Sequence, residues 1–187
     1  RTSKGIGAMT SIIICHKEEL QLLSWWLRKI LFTHCYDSYE NPSENNIVID
    51  MRKKVQGYET DMILTCKSGS RTVRIGFELK ERDLYKAVSQ ALDRRALFHY
   101  FYIVLNLHAH QILTLLKGHQ RTEEALSNGI GFVSSIDDCI IIKSYSKPNW
   151  RESRSYAYTI LAYLGDEEKI INNFLFTTYC FYCFKYY

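Results

Sequence analysis

Residues 60–80 constrain the fold of this chain more than any other stretch. Thr60-Asp61-Met62-Ile63-Leu64-Thr65-Cys66 is an apolar, β-branched run, Lys67-Ser68-Gly69-Ser70 is a turn, and Arg71-Thr72-Val73-Arg74-Ile75-Gly76-Phe77-Glu78-Leu79-Lys80 is a second run. Two such runs around a Gly/Ser turn predict a β-hairpin. Asp61 opens the first strand, and Glu78 and Lys80 close the second. Antiparallel pairing therefore brings all three to the end away from the turn. Side chains alternate along a strand, which puts Glu78 and Lys80 on one face. Two carboxylates and an ammonium at one strand end make a candidate site for a divalent cation and a polarised water.

An acidic residue, a hairpin and then Glu-x-Lys resembles the core motif of the PD-(D/E)XK nuclease superfamily. The resemblance implies an α/β fold with a restriction-endonuclease-like core of order α-β-β-β-α-β, its central mixed sheet flanked by helices. It also implies Asp61 and Glu78 as ligands of Mg²⁺ or Mn²⁺, with the Leu79 carbonyl as a further ligand. Lys80 would position or deprotonate the attacking water, or stabilise charge on the phosphate. Thr60 stands where the Pro of the motif's name would be. Alone, Glu78-Leu79-Lys80 reads first as a solvated strand face. The motif gains its meaning from Asp61, the hairpin and the following helix taken together.

The flanking elements follow from periodicity. Leu20, Leu23, Trp26, Leu27, Ile30 and Leu31 recur at helical spacing, which predicts an amphipathic helix from Ser11 to Phe32. Glu19 falls on the edge of that stripe and Glu18 outside it. Archaeal Holliday-junction resolvases of the superfamily carry a Glu on their first helix that joins the metal site. The resemblance thus implies Glu19 as a third carboxylate, while a first-turn Glu favoured by the helix dipole is the alternative.

A strand runs from Ile47 toward Gln56, and after the hairpin a helix is expected over Glu81 to Phe101. Leu84, Val88, Ala91, Arg95 and Phe98 lie along one side of that helix, and Asp83 sits at its N-terminal turn. Tyr102 to Asn106 reads as a buried strand. His108 to Ser127 reads as helical with a division near Gly118. A second hairpin, turning at Ile136-Asp137-Asp138, spans Gly129–Ser135 and Cys139–Lys143. The expected whole is one nuclease-like domain, 1–187, with a core over 11–145 and an aromatic-rich helical extension over 150–187.

On the helix after the hairpin, Gln90 follows Lys80 by ten positions. RecB-type nucleases carry a supporting Gln at a comparable place and a Tyr four residues later, where this chain has Arg94. Gln90 and Arg94 lie one turn apart and face the same way. Gln90 is a candidate supporting residue, and Arg94 is a candidate phosphate contact. Arg52, Lys53, Lys54 and Arg82 complete the candidate DNA-binding set, because phosphate binding needs cations around the cleft. Each of them singly also reads as a solvated face.

A formal charge of +4 is compatible with nucleic acid without demanding it. No apolar run is long enough to span a bilayer, and the N-terminus lacks the order of a secretory signal. An intracellular, cytoplasmic protein with no membrane partner is expected. The six cysteines include no set with zinc-ligand spacing. They read as buried thiols of a reducing compartment.

The function implied is a divalent-metal-dependent deoxyribonuclease, an endonuclease hydrolysing phosphodiester bonds. By analogy with the resolvases its substrate is branched or structured DNA. Cutting two strands symmetrically suits a homodimer, for which the aromatic tail offers apolar surface. The alternative is a catalytically weak or inactive DNA-binding module that retains the nuclease fold.

Overall fold

The computed structural model describes residues 11–14, 17–35 and 46–146. The expected helical extension and its aromatic dimer surface lie outside the described residues, as do Cys15, Cys180 and Cys183. Seven strands form one open sheet in which neighbours in sequence are neighbours in space. They are β1 (Ser11–Ile14), β2 (Ile47–Val55), β3 (Tyr58–Ser68), β4 (Arg71–Lys80), β5 (Tyr100–Leu105), β6 (Ile130–Ser134) and β7 (Cys139–Ile142). Strands β1 to β4 pair antiparallel, β4–β5 and β5–β6 pair parallel, and β7 returns antiparallel to β6. The fold is mixed α/β with a mostly antiparallel sheet.

Helix α1 (Trp25–His34) precedes β2, α2 (Leu84–Arg94) links β4 to β5, and α3 (Ala109–Gly118) with α4 (Thr122–Ser127) links β5 to β6. Parallel neighbours require such crossovers, whereas antiparallel ones need only tight turns. Gln56 and Gly57, both at positive φ, make the two-residue turn between β2 and β3. Gly69 at φ +55 opens the turn between β3 and β4.

Two predictions of extent are corrected. Residues Ser11 to Phe32 are not one helix: Ser11–Ile14 is an edge strand on β2, Lys17–Leu22 is a 3₁₀ turn, and α1 begins only at Trp25. The β-branched run Ile12-Ile13-Ile14 favours a strand, and helical periodicity belongs only to the residues after it. The helix expected over Glu81 to Phe101 closes at Arg94, followed by a 3₁₀ turn Arg95–Leu97, and Tyr100 already pairs with Ile75.

The sheet carries a core on each face. Trp26, Leu27, Ile30 and Leu31 of α1 pack on Ile49, Leu64, Ile75, Phe77 and Tyr102. On the other face α2, α3 and α4 cover Ile63, Phe101, Ile103, Leu105 and Phe132. β5 is buried on both sides, and its neighbours make room for its rings. A Cβ on Gly76 would stand 2.6 Å from the Phe101 ring, and Gly131 lies as closely against Tyr102.

Side chains from the predicted Asp137-Asp138 turn fasten a helix on each face. The Asp138 carboxylate accepts the Trp25 and Trp26 N–H groups at 2.9 and 3.0 Å, capping α1 where Ser24 makes no side-chain cap. Asp137 accepts the Ala109 N–H at 2.6 Å and meets His108 Nδ1 at 2.7 Å, capping α3. Arg95 is buried, and its guanidinium donates to the carbonyls of Asn128, Phe98, His99 and Tyr145. One side chain thereby ties the end of α2, the start of β5, the end of α4 and the segment after β7.

The cysteines differ from expectation at one pair. Cys35, at the end of α1, and Cys66, on β3, form a disulfide with Cα atoms 6.0 Å apart. The pairing was hidden because the two lie 31 residues apart and meet only through packing of α1 on the sheet. Disulfides persist in oxidising surroundings, so the cysteines give no support to a reducing compartment. Among the described residues, no helix is long and apolar enough to cross a membrane.

His34 is buried with its Nε2 2.8 Å from the Tyr102 hydroxyl and its ring stacked on Tyr100. Burial, with the nearby Lys143 charge, pushes its pKa down from 6.5 to about 3. A histidine held neutral when folded but free to protonate when unfolded contributes stability that is complete above pH 6.5 and lost as the pH falls toward 3. Urea titrations across that window are expected to show the loss in the wild type and a flatter profile in His34→Gln. An equal slope in both would assign the acid sensitivity to other groups.

Candidate functional site

The site forms where the hairpin opens. Pairing of β3 with β4 runs from Ser68↔Arg71 to Met62↔Phe77 and stops, while Glu78, Leu79 and Lys80 continue alongside Ile103, Val104 and Leu105 of β5. At this fork the Leu79 N–H donates to Asp61 Oδ2 at 2.9 Å, so the Asp61 carboxylate replaces a missing ladder partner. The β2–β3 ladder also skips one step here, between Met51↔Met62 and Lys53↔Thr60. The residue in the skipped step on β2 is Arg52, at φ 50. Such a backbone is uncommon for a residue with a Cβ. Asp61 therefore sits at an irregularity in both of its ladders.

Lys80 Nζ marks the centre of the site. It donates to Glu78 Oε1 at 2.5 Å, to the Leu79 carbonyl at 3.3 Å and to Asp61 Oδ2 at 3.4 Å. Two carboxylates and a backbone carbonyl thus converge on one cationic point. That donor set is all hard oxygen, the chemistry that Mg²⁺ and Mn²⁺ select. The residues fit such an ion on the observation that an ammonium already stands among the three oxygens.

Glu78 is 1% exposed, and each of its oxygens has a cation. Lys80 takes Oε1, and Arg94 Nη1 on α2 takes Oε2 at 2.6 Å. Burial, reinforced by the Asp61 charge, pushes the Glu78 pKa up against the pull of Lys80 and Arg94. Burial also opposes the charge on Lys80, but its bond to Glu78 and the two carboxylate charges outweigh that and hold its pKa above the usual lysine value. Within the pair the Lys80 ammonium draws the Glu78 pKa down while the Glu78 carboxylate draws the Lys80 pKa up, each opposing the effect of burial on its partner.

Asp61, Glu78, Lys80 and Arg94 are brought together, and Arg94 stands differently from the phosphate contact expected of it. Its guanidinium is turned inward onto Glu78, and among the described residues neither its buried Nε nor Gln90 Oε1, one turn earlier on α2, has a partner. The shared face of Gln90 and Arg94 was legible from their spacing; the ion pair with Glu78 was not.

Glu19 lies in the first turn of the short 3₁₀ helix Lys17–Leu22 that precedes α1, not on α1 itself. Among the described residues, no group of three or more His, Cys, Asp or Glu side chains is gathered so as to hold a metal ion. The segment instead buries Leu20 and leaves Glu18 exposed. Arg52, Lys54 and Arg82 are exposed, and Lys53 pairs with Asp50 at 2.6 Å. One neighbour of the site went unread in the sequence: Asn106, whose N–H donates to the Lys80 carbonyl at 3.0 Å and whose Oδ1 accepts from the Ser135 hydroxyl.

Glu78 and Asp61 carry different structural weight. Glu78→Ala strands two cations in a buried pocket and is expected to cost roughly 3–5 kcal/mol. Asp61, 30% exposed, forms a long, partly solvated ion pair, and Asp61→Asn is expected to cost about 1 kcal/mol or less. Urea unfolding of the two variants tests this order, and equal losses would contradict it.

Comparison with known proteins gives no match: no family model fits the chain, and neither a curated protein nor a solved structure is significantly similar to it.

Proposed function

We propose that this protein is a divalent-metal-dependent endonuclease that hydrolyses phosphodiester bonds in DNA, on a core resembling the restriction-endonuclease-like fold. The observation that carries the reading is the convergence of Glu78, Asp61 and the Leu79 carbonyl on the Lys80 ammonium. Those three oxygen donors are the ones that the PD-(D/E)XK resemblance assigns to the metal. The order α1, β2, β3, β4, α2, β5 supports the same reading. So does the position of Glu78 and Lys80 at the C-terminal end of a strand in the parallel part of the sheet, where open α/β sheets bind ligands.

A cation held by Asp61, Glu78 and the Leu79 carbonyl would supply Lewis-acid polarisation and a lowered pKa for water. In the hydrolysis the water oxygen bonds to phosphorus as the opposite ester P–O bond breaks. Charge crowds on the phosphoryl oxygens, and nearby cations stabilise it. Lys80 orients the water or meets that charge. Arg52, Lys54 and Arg82 contact flanking phosphates. Branched or structured DNA is the substrate that the resolvase resemblance implies, and symmetric cutting of it suits a homodimer.

End-labelled duplex, single-stranded and four-way-junction DNA, incubated with Mg²⁺, Mn²⁺ or EDTA, provide the test. Cutting is expected only with a divalent metal. Lys80→Ala should slow it by roughly 10²–10³-fold while DNA affinity changes little. Wild type that binds DNA yet cuts none of the substrates would make the protein a DNA-binding module and end the nuclease reading.

A further inference from the structure

We infer that Arg94 makes metal loading depend on the arrival of the phosphodiester, an inference that rests on the nuclease reading above. Both oxygens of Glu78 are held by the chain's own cations, Lys80 on Oε1 and Arg94 on Oε2. Asp61 and Glu78 carry two negative charges and Lys80 and Arg94 two positive ones, so the cluster is electrically balanced as it stands. A dication entering a balanced cluster leaves two surplus positive charges at short range. Because Glu78 is buried, that repulsion is weakly screened. Arg94 is the cation with less to lose by leaving, since the Lys80 ammonium has three acceptors around it whereas Arg94 has the one bond to Glu78 and an Nε without an acceptor among the described residues.

The geometry of Arg94 gives it a reason to leave. Its side chain is 11% exposed, and Nη1 is bonded to Glu78 while the buried Nε has no acceptor among the described residues. A guanidinium offers five donors in a fork matched to phosphate oxygens. A phosphate at the cleft supplies the acceptors that Arg94 lacks, frees Glu78 Oε2 and brings the negative charge that balances the dication. Gln90, whose Oε1 is also without a partner, lies one turn away on the same helix face. Arg94 is thus a positioning residue that trades a carboxylate for a phosphate. By linkage the effect is reciprocal, so the metal tightens DNA binding by the same factor by which DNA tightens metal binding.

Calorimetric titration with Mn²⁺, in the absence and presence of a short phosphorothioate duplex, tests this without reference to turnover. Asp61→Asn serves as the background for metal held by the DNA. The duplex is expected to raise the wild-type affinity for Mn²⁺ about tenfold. Arg94→Gln is expected to bind Mn²⁺ about tenfold more tightly than wild type without DNA and to gain little from the duplex. Arg94→Lys, which keeps the charge, should bind Mn²⁺ as wild type does. Equal Mn²⁺ affinity in wild type and a folded Arg94→Gln would overturn the inference and leave the metal site standing. If Arg94→Gln does not fold, a wild-type affinity indifferent to the duplex overturns it instead. Failure of both wild type and Arg94→Gln to bind Mn²⁺ above the Asp61→Asn background would remove the metal site itself, and with it the nuclease reading.

Discussion

A carboxylate buried in the sheet is the constraint on which the rest of the site depends. An ionised carboxylate deprived of water is stable only where partners replace the lost hydration. Glu78 is almost wholly covered, and it meets that condition with two cations from different elements, Lys80 on its own strand and Arg94 on α2. The packing of α2 on the sheet through Leu84, Ala87, Val88 and Ala91 lets the guanidinium reach across from the helix to Glu78. Lys80 also touches Asp61, so one ammonium serves both carboxylates. The fork of the hairpin follows the same logic: the Leu79 N–H, left without a ladder partner, finds Asp61.

The supports around that cluster are polar groups anchored far apart in sequence. Asp137 and Asp138, adjacent in one turn, cap α3 on one face of the sheet and α1 on the other. Arg95 performs a comparable task at the opposite ends of the parallel strands. It satisfies carbonyls of the segments before β5, before β6 and after β7. A buried guanidinium without a carboxylate is tolerable only because several acceptors surround it, and burial accordingly lowers its pKa to about 10. Arg94 and Arg95 are neighbours in sequence, yet one serves the site and the other the scaffold.

The hairpin and its three charged residues were legible because two local rules, strand alternation and turn chemistry, act within 21 residues. The capping role of Asp83, the division of the helical segment near Gly118 and the Asp137-Asp138 turn were readable for the same reason. Failures came where a local pattern was extended too far or where tertiary distance decides. The stripe from Leu20 to Leu31 was carried back over Ile12-Ile13-Ile14, whose branched side chains pair with β2. Spacing puts Arg95 on one side with Leu84, Val88 and Ala91, but the helix ends before it, and its clamp on four carbonyls depends on segments that no spacing rule connects. The Cys35–Cys66 bridge and the Arg94–Glu78 pair have the same character, each joining a helix to a strand across the core.

The cluster also bears on the choice between a nuclease and a DNA-binding module. Buried ion pairs are seldom needed for stability, since apolar side chains of similar volume commonly serve as well or better. A module that only holds DNA could keep Asp61 and Glu78 as the anions that fix Lys80 and Arg94, whereas a nuclease would also use them as ligands. The same two carboxylates, with the Leu79 carbonyl beside them, are what a divalent cation needs, and the ammonium of Lys80 already fills the role of a cation among those oxygens. Asp61 sharpens the point. It is partly solvated, and its bonds are to the Leu79 N–H, for which it stands in as ladder partner, and to the shared ammonium. On the proposed reading, a partly solvated carboxylate set at a break in both neighbouring ladders, and sharing one ammonium with a buried glutamate, is the ligand that a bound cation would use.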